Sequence, residues 1–184
     1  MNIRSFESTE FRANRNGDGM TIEGYFSVFD KPYVISGDAF ETVDRHAFDR
    51  TLDDDIRALL NHDSSLVLGR TLNNTLELRV DEVGLFGSIH INPNDTDAVN
   101  CYERVKRGDI SQCSFGFEIL DEKLEFLENN AVHWTLMDLR LHEVSVCTFP
   151  AYPDSSCVAR SAEAARLRGL REWKLQMVKM MKEV

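Results

Sequence analysis

The chain is short of positive charge. It has 21 Lys and Arg against 31 Asp and Glu, a net charge of −10. Broad binding along a phosphate backbone needs a basic face, so a nucleic-acid partner is not expected. No run approaches the ~20 apolar residues of a membrane span. The first residues, Met1-Asn2-Ile3-Arg4-Ser5, open no signal-peptide core. Neither membrane nor secretion is expected, and a reducing cytoplasm is the default compartment. The four cysteines, Cys101, Cys113, Cys147 and Cys157, form no C-x-x-C pair, which argues against a zinc knuckle or a thioredoxin-type motif. G-x-x-x-x-G-K-[ST], G-x-G-x-x-G, H-E-x-x-H and G-x-S-x-G are all missing. The sequence calls for no cofactor and no metal.

What is present is an ordinary globular balance, 42% hydrophobic and 28% charged over 184 residues. That length gives one domain, or one domain and a tail, with no need of a disulfide or metal to hold it. The charge divides unevenly. From Arg160 onward there are seven basic side chains and three acidic ones, so the tail carries +4 and the rest, −10 less +4, carries −14. Within the tail Leu170, Trp173, Met177, Met180 and Val184 step by 3, 4, 3, 4, a seam of two heptads. It needs a surface to bury against: the body, a second copy of the chain, or a scaffold helix.

Turn residues crowd positions 12–20, and the aromatic and β-branched run at 21–29 predicts a strand. Ala39, Phe40, Val43, Ala47 and Phe48 are spaced as on a short amphipathic helix. Residues 56–62 predict a buried strand, with a turn at Asp63-Ser64-Ser65. Leu76, Leu78 and Val80 alternate with polar residues, and a turn at 81–84 leads to 85–91, a hairpin. Asn94-Asp95-Thr96 can cap a helix over 97–107, closed by Gly108. Strands follow over 110–120 and 139–149, with a tight turn at Asn129-Asn130. Helices are too few for a doubly wound sheet. The pattern predicts a β-rich α+β domain, a mostly antiparallel barrel or sandwich surrounded by short helices, over 1–159, with a helical tail over 160–184.

Three polar residues interrupt apolar stretches: His62 after Leu59-Leu60-Asn61, Ser114 within Ile110-Ser111-Gln112-Cys113-Ser114-Phe115-Gly116-Phe117, and Glu143 within Leu141-His142-Glu143-Val144-Ser145-Val146. Burying such groups is costly unless they are paired. A hydroxyl, an imidazole and a carboxylate make a nucleophile, a base and an orienting acid. Each also has an ordinary explanation. A strand histidine can be a satisfied core residue, a strand serine structural, and a strand glutamate solvent-facing.

These residues lie in a wider pattern. Ile22 to Phe29, Asp38-Ala39-Phe40, Asn61-His62-Asp63, Leu68-Gly69-Arg70-Thr71, Leu76-Glu77-Leu78, Ser114-Phe115-Gly116-Phe117 and the stretch from Leu141 to Pro153 resemble, in that order, the phage prohead protease family. The ordered set N-H-D, S-F-G-F and E-V-S-V-x-T-F-P-A carries the resemblance. It implies a fold similar to herpesvirus assemblin and a serine endopeptidase of capsid maturation, working inside the assembling prohead in the bacterial host cytoplasm. Such enzymes cut scaffold, or the scaffolding segment of the major capsid protein precursor, and usually themselves. Carried over by position, Ser114 matches the nucleophile, His62 the general base and Glu143 the third member. The herpesvirus relatives use a histidine as third member, so His142 stays open beside Glu143. Adjacent strand residues face opposite sides, so only one of the two can meet His62. Asp63 is a third candidate.

Overall fold

The computed structural model describes residues 1–7, 11–16, 19–128, 130–149 and 155–182. Among these residues eleven strands form two sheets. The larger contains β1 (Asn2–Glu7), β4 (Tyr33–Ser36), β5 (Ala39–Val43), β6 (Arg57–Leu60), β7 (Asp63–Arg70), β10 (Gln112–Phe126) and β11 (Val132–Cys147). Its order is β1-β10-β11-β5-β4, and β6 also pairs with β11 and carries β7 on its other side. The smaller, β2-β3-β9-β8, comprises β2 (Arg12–Asn16), β3 (Gly19–Val28), β8 (Leu76–Val80) and β9 (Gly84–Ile91). Neither sheet closes into a barrel, so of the two expected β architectures the barrel does not form.

The core lies where both sheets turn apolar faces inward. Ile22 and Phe26 of β3, Leu85 and Ile89 of β9, Phe115 and Phe117 of β10, and Val144 and Val146 of β11 are fully buried in one cluster. Helix α1 (Thr96–Arg107) closes it with Ala98, Cys101, Tyr102 and Val105, the 3.6-residue stripe of a half-buried helix. Its ends are as expected. The Asp95 carboxylate accepts from the N–H groups of Asp97 and Ala98, and Gly108 at φ 87° turns the chain out of the helix.

Two expectations fail for tertiary reasons. Within the expected turn cluster over 12–20, residues 12–16 and 19–20 are strand, because β2 pairs along β3 from Arg12 opposite Glu23 to Asn16 opposite Gly19, and 17–18 lie outside the described residues. Residues 39–43 are a strand, not the start of a helix. Ala39, Glu41 and Val43 are buried alternately, and β5 lies parallel to β11 from Ala39–Val132 to Val43–Leu136. Helical spacing and strand alternation both fit so short a segment; the pairing with a strand some 90 residues away settles it.

β11 organises the larger sheet. β10 runs antiparallel along one edge, while β5 and β6 both run parallel along the other, β5 on its first half and β6 on its second. Helix α2 (Ser155–Lys182), which contains residues 160–182 of the expected tail, lies over β4. Ala164 is buried there with Trp134, Ile35 and Val132.

Candidate active site

β11 carries Glu143, the candidate acid. Glu143, Ser145 and Cys147 alternate with Val144 and Val146, so the valines fill the core and the three polar residues share the opposite face. All three are buried. His142 is exposed, and it is the extra residue that β11 carries between Leu141 and Glu143, where the register with β10 shifts.

His62, the candidate base, lies at a hairpin tip rather than in a strand. β6 and β7 are joined through Leu60 paired with Asp63, leaving Asn61 and His62 as the two turn residues. Both have positive φ, 53° and 62°. That is the signature of a primed two-residue turn, whose twist matches the flanking strands. The expected turn at 63–65 is instead the start of β7. Asn61 ties the tip to the end of β11: its N–H donates to the Val146 carbonyl, and its Oδ1 accepts from the Thr148 N–H, both at 2.9 Å. His62 is thereby brought over Glu143.

Its Nδ1 lies 2.7 Å from Glu143 Oε1. A carboxylate at that nitrogen selects the tautomer with the proton on Nδ1, leaving Nε2 to accept. Nε2 faces the Cys147 sulfur at 3.7 Å. Burial, with Glu143 and Cys101 adding to it, pushes the Cys147 thiol up to about 12, so it stays protonated at neutral pH. Asp63, the third candidate, is turned elsewhere. Its Oδ1 accepts from the Ser65 hydroxyl and N–H, which hold its carboxyl below the ordinary range.

Ser114 stands on the next strand, directly opposite Ser145 in the β10–β11 register. Cross-strand neighbours of this kind have Cβ atoms about 4.5–5.5 Å apart, so Ser114 lies one residue across from the His62–Glu143 pair. It is fully buried, and its hydroxyl donates to the Arg4 carbonyl of β1 at 2.8 Å. The structure therefore joins His62 to Glu143 and holds the Ser114 hydroxyl on β1. Two positions further on, Gly116 pairs with Glu143. A Cβ on Gly116 would come within 2.3 Å of Glu143 Oε1, so only glycine leaves room for the carboxylate. That is a physical reason for the glycine of S-F-G-F. Among the described residues no group of three or more His, Cys, Asp and Glu could hold a metal ion, and no helix is long and apolar enough to cross a membrane.

An imidazole braced by a buried carboxylate, with a serine on the neighbouring strand, is the residue set a serine hydrolase needs. The chain belongs to the caudovirus prohead serine protease family, whose sequence pattern matches residues 7–168. It is 26% identical over 164 residues to the prohead protease of Enterobacteria phage HK97, an overlap covering 84% of this chain and 66% of that protein. The chain thus spans just under two thirds of that relative's length. No solved structure matches.

Two neighbours of the site carried no signal in the sequence beyond their place in the motif. Ser145 is an ordinary strand serine until Glu143 and His62 are seen on either side of it. Cys147 reads as a small core residue, and it is buried as such, but its sulfur faces the imidazole.

Proposed function

We propose that the protein is a serine endopeptidase of capsid maturation. It cleaves scaffold, or the scaffolding segment of the major capsid protein precursor, inside the prohead in the host cytoplasm, and it cleaves itself. The observation that carries the reading is the 2.7 Å contact between His62 Nδ1 and buried Glu143 on the sheet face that bears Ser114, in a chain of the prohead serine protease family.

In this reading Ser114 turns its hydroxyl from the Arg4 carbonyl toward His62. Oγ attacks the scissile carbonyl carbon as Nε2 takes the hydroxyl proton. The tetrahedral adduct collapses when Nε2 returns that proton to the leaving amine. Water then attacks the acyl-enzyme and gives a proton to Nε2, which passes it to the departing Ser114 oxygen, releasing the acid product and restoring the hydroxyl. Glu143 holds the Nδ1 proton throughout and stabilises the imidazolium. Cys147 keeps its proton and does not compete as nucleophile.

One observation favours a second reading, a non-catalytic scaffold or assembly factor on the same fold: the Ser114 hydroxyl is fully buried and bonded to β1. The Ser114→Ala protein separates the two. Expected is complete loss of cleavage of capsid or scaffold precursor, and of labelling by a fluorophosphonate, with unfolding unchanged to within about 1 kcal/mol. Cleavage by the alanine protein at the wild-type rate would remove Ser114 from the mechanism. A wild-type protein that cuts neither precursor under prohead-assembly conditions would favour the scaffold reading.

A further inference from the structure

Ser145 is fully buried and lies between the two groups whose alignment the chemistry needs. Its Oγ donates to Glu143 Oε2 at 2.5 Å and accepts from the backbone N–H of His62 at 3.2 Å. A hydroxyl has one proton to give and lone pairs to accept with, and here both capacities are used. The first contact engages the second oxygen of the carboxylate and so aims Oε1 at the imidazole. The second holds the main chain of His62, a non-glycine residue at φ 62° in the two-residue turn. Two elements are thus referenced to one atom: the hairpin tip carrying the base and the strand carrying the acid. Position 145 is fixed in turn by its own strand neighbours, Ser114 on β10 and Leu59 on β6.

We propose that Ser145 is the positioning residue of the site, locking the His62–Glu143 pair in the geometry that accepts a proton from Ser114. This rests on the protease reading above. Without the hydroxyl, Glu143 loses a charge-assisted bond and is free to turn about its terminal torsion. The His62 N–H then loses its bond to β11, leaving the tip held by the Asn61 contacts. Ser145 is fully buried behind the pair, so the change is expected in the chemical step rather than in binding.

The test compares Ser145→Ala and Ser145→Thr with wild type and Ser114→Ala, on a quenched-fluorescence peptide that the wild type cleaves. Expected for Ser145→Ala is a kcat lowered about 10- to 100-fold, the scale of one hydrogen bond to a charged group, with KM within about twofold. The far-downfield proton resonance of the His62 Nδ1–H···Glu143 bond should weaken or vanish. Ser145→Thr, which keeps the hydroxyl, should regain most of kcat and the resonance. If Ser145→Ala does not fold, Ser145→Cys is read in its place, close in size but a weak donor. Wild-type kcat together with an intact resonance in the folded alanine or cysteine protein overturns the inference. So does a folded threonine protein as slow as alanine. Failure of the protease reading looks different: Ser114→Ala would then match wild type, while the resonance in the Ser145 series would still decide whether this hydroxyl aligns the pair.

Discussion

At the scale of single residues, the two candidates beside each other on β11 are opposite in burial and partner. Glu143 is buried against the imidazole, whereas His142 is exposed at the register shift beside it. The proposed role of Glu143 therefore has a sharp contrast. Glu143→Gln keeps the shape, but the amide can donate to Nδ1 and select the wrong tautomer. Its kcat should drop by orders of magnitude, about 10⁴-fold in the best-characterised triad. His142→Gln should change kcat less than about threefold. Steady-state kinetics on both purified proteins decide it, and the reverse ranking would hand the role to His142.

At the scale of elements, the β10–β11 pair delivers the site, and its register leaves one position with no tolerance. Gly116 sits across from Glu143 with the carboxylate oxygen where a Cβ would go. Gly116→Ala must push the carboxylate away from His62 or shift one strand against the other. Expected is a loss of activity of at least about 100-fold, comparable to displacing reacting groups by about 1 Å, accompanied by a slowed or absent His62 Nδ1 proton resonance. An alanine protein with normal turnover would mean that Glu143 is not held where the carboxylate is needed. The β6–β7 hairpin contributes the complementary half. Its two-residue primed turn and the two Asn61 contacts to β11 place His62 at a tip that reaches over the neighbouring strand.

At the scale of the whole molecule, the two ends of the chain meet in one buried ionic cluster. Arg4 of β1 and Arg160 of α2 both pair with Glu41 of β5, and Arg160 also reaches Glu122 and Glu163 while lying 4.7 Å from the centre of the Trp134 ring. Arg4 and Glu41 are each only 1% exposed. Removing one partner leaves the others desolvated and uncompensated, so Glu41→Ala should lower stability by about 3–5 kcal/mol. A change under about 1 kcal/mol in urea unfolding would show the cluster to be idle. Further along α2 the side chains of Trp173, Met177 and Met180 are 56%, 40% and 62% exposed. Met180→Gln should move the same midpoint by no more than about 0.5 kcal/mol, and the proposed docking of this seam would register instead as a loss of scaffold binding or a change in oligomeric state. The core also sets an alkaline limit. Burial raises Cys147 to about 12 and Cys101 to about 11, above the ~8.5 of an exposed thiol. The folded state therefore keeps these protons longer than the unfolded chain does. The contribution is fully present below about pH 8.5 and is lost as pH rises toward 11–12. Urea midpoints at pH 7.5 and 10 should fall less for Cys147→Ala than for wild type; equal falls would place the alkaline sensitivity elsewhere.

The residues alone determined whatever depends on neighbours in sequence. The helix over 96–107 with its Asp95 cap and Gly108 stop, the 76–91 hairpin and the strand around 21–28 were all legible, because caps, turns and alternation act within a few residues. The ordered motifs also marked His62, Ser114 and Glu143, but alternation could not separate His142 from Glu143, because β11 carries an extra residue there. What depended on pairing across long separations was not legible. Whether 39–43 coils or extends was decided by the parallel edge of β11. Whether the chain turned at 61–62 or at 63–65 was decided by the β6–β7 register and the Asn61 contacts. Which face of β11 met the imidazole, why position 116 had to be glycine, and that Ser145 joins acid to base all followed from the packing of β6, β10 and β11 around one another. A side chain's local preference amounts to a fraction of a kcal/mol, whereas misplacing a strand buries polar groups without partners, so the tertiary arrangement overrides local preference wherever the two disagree.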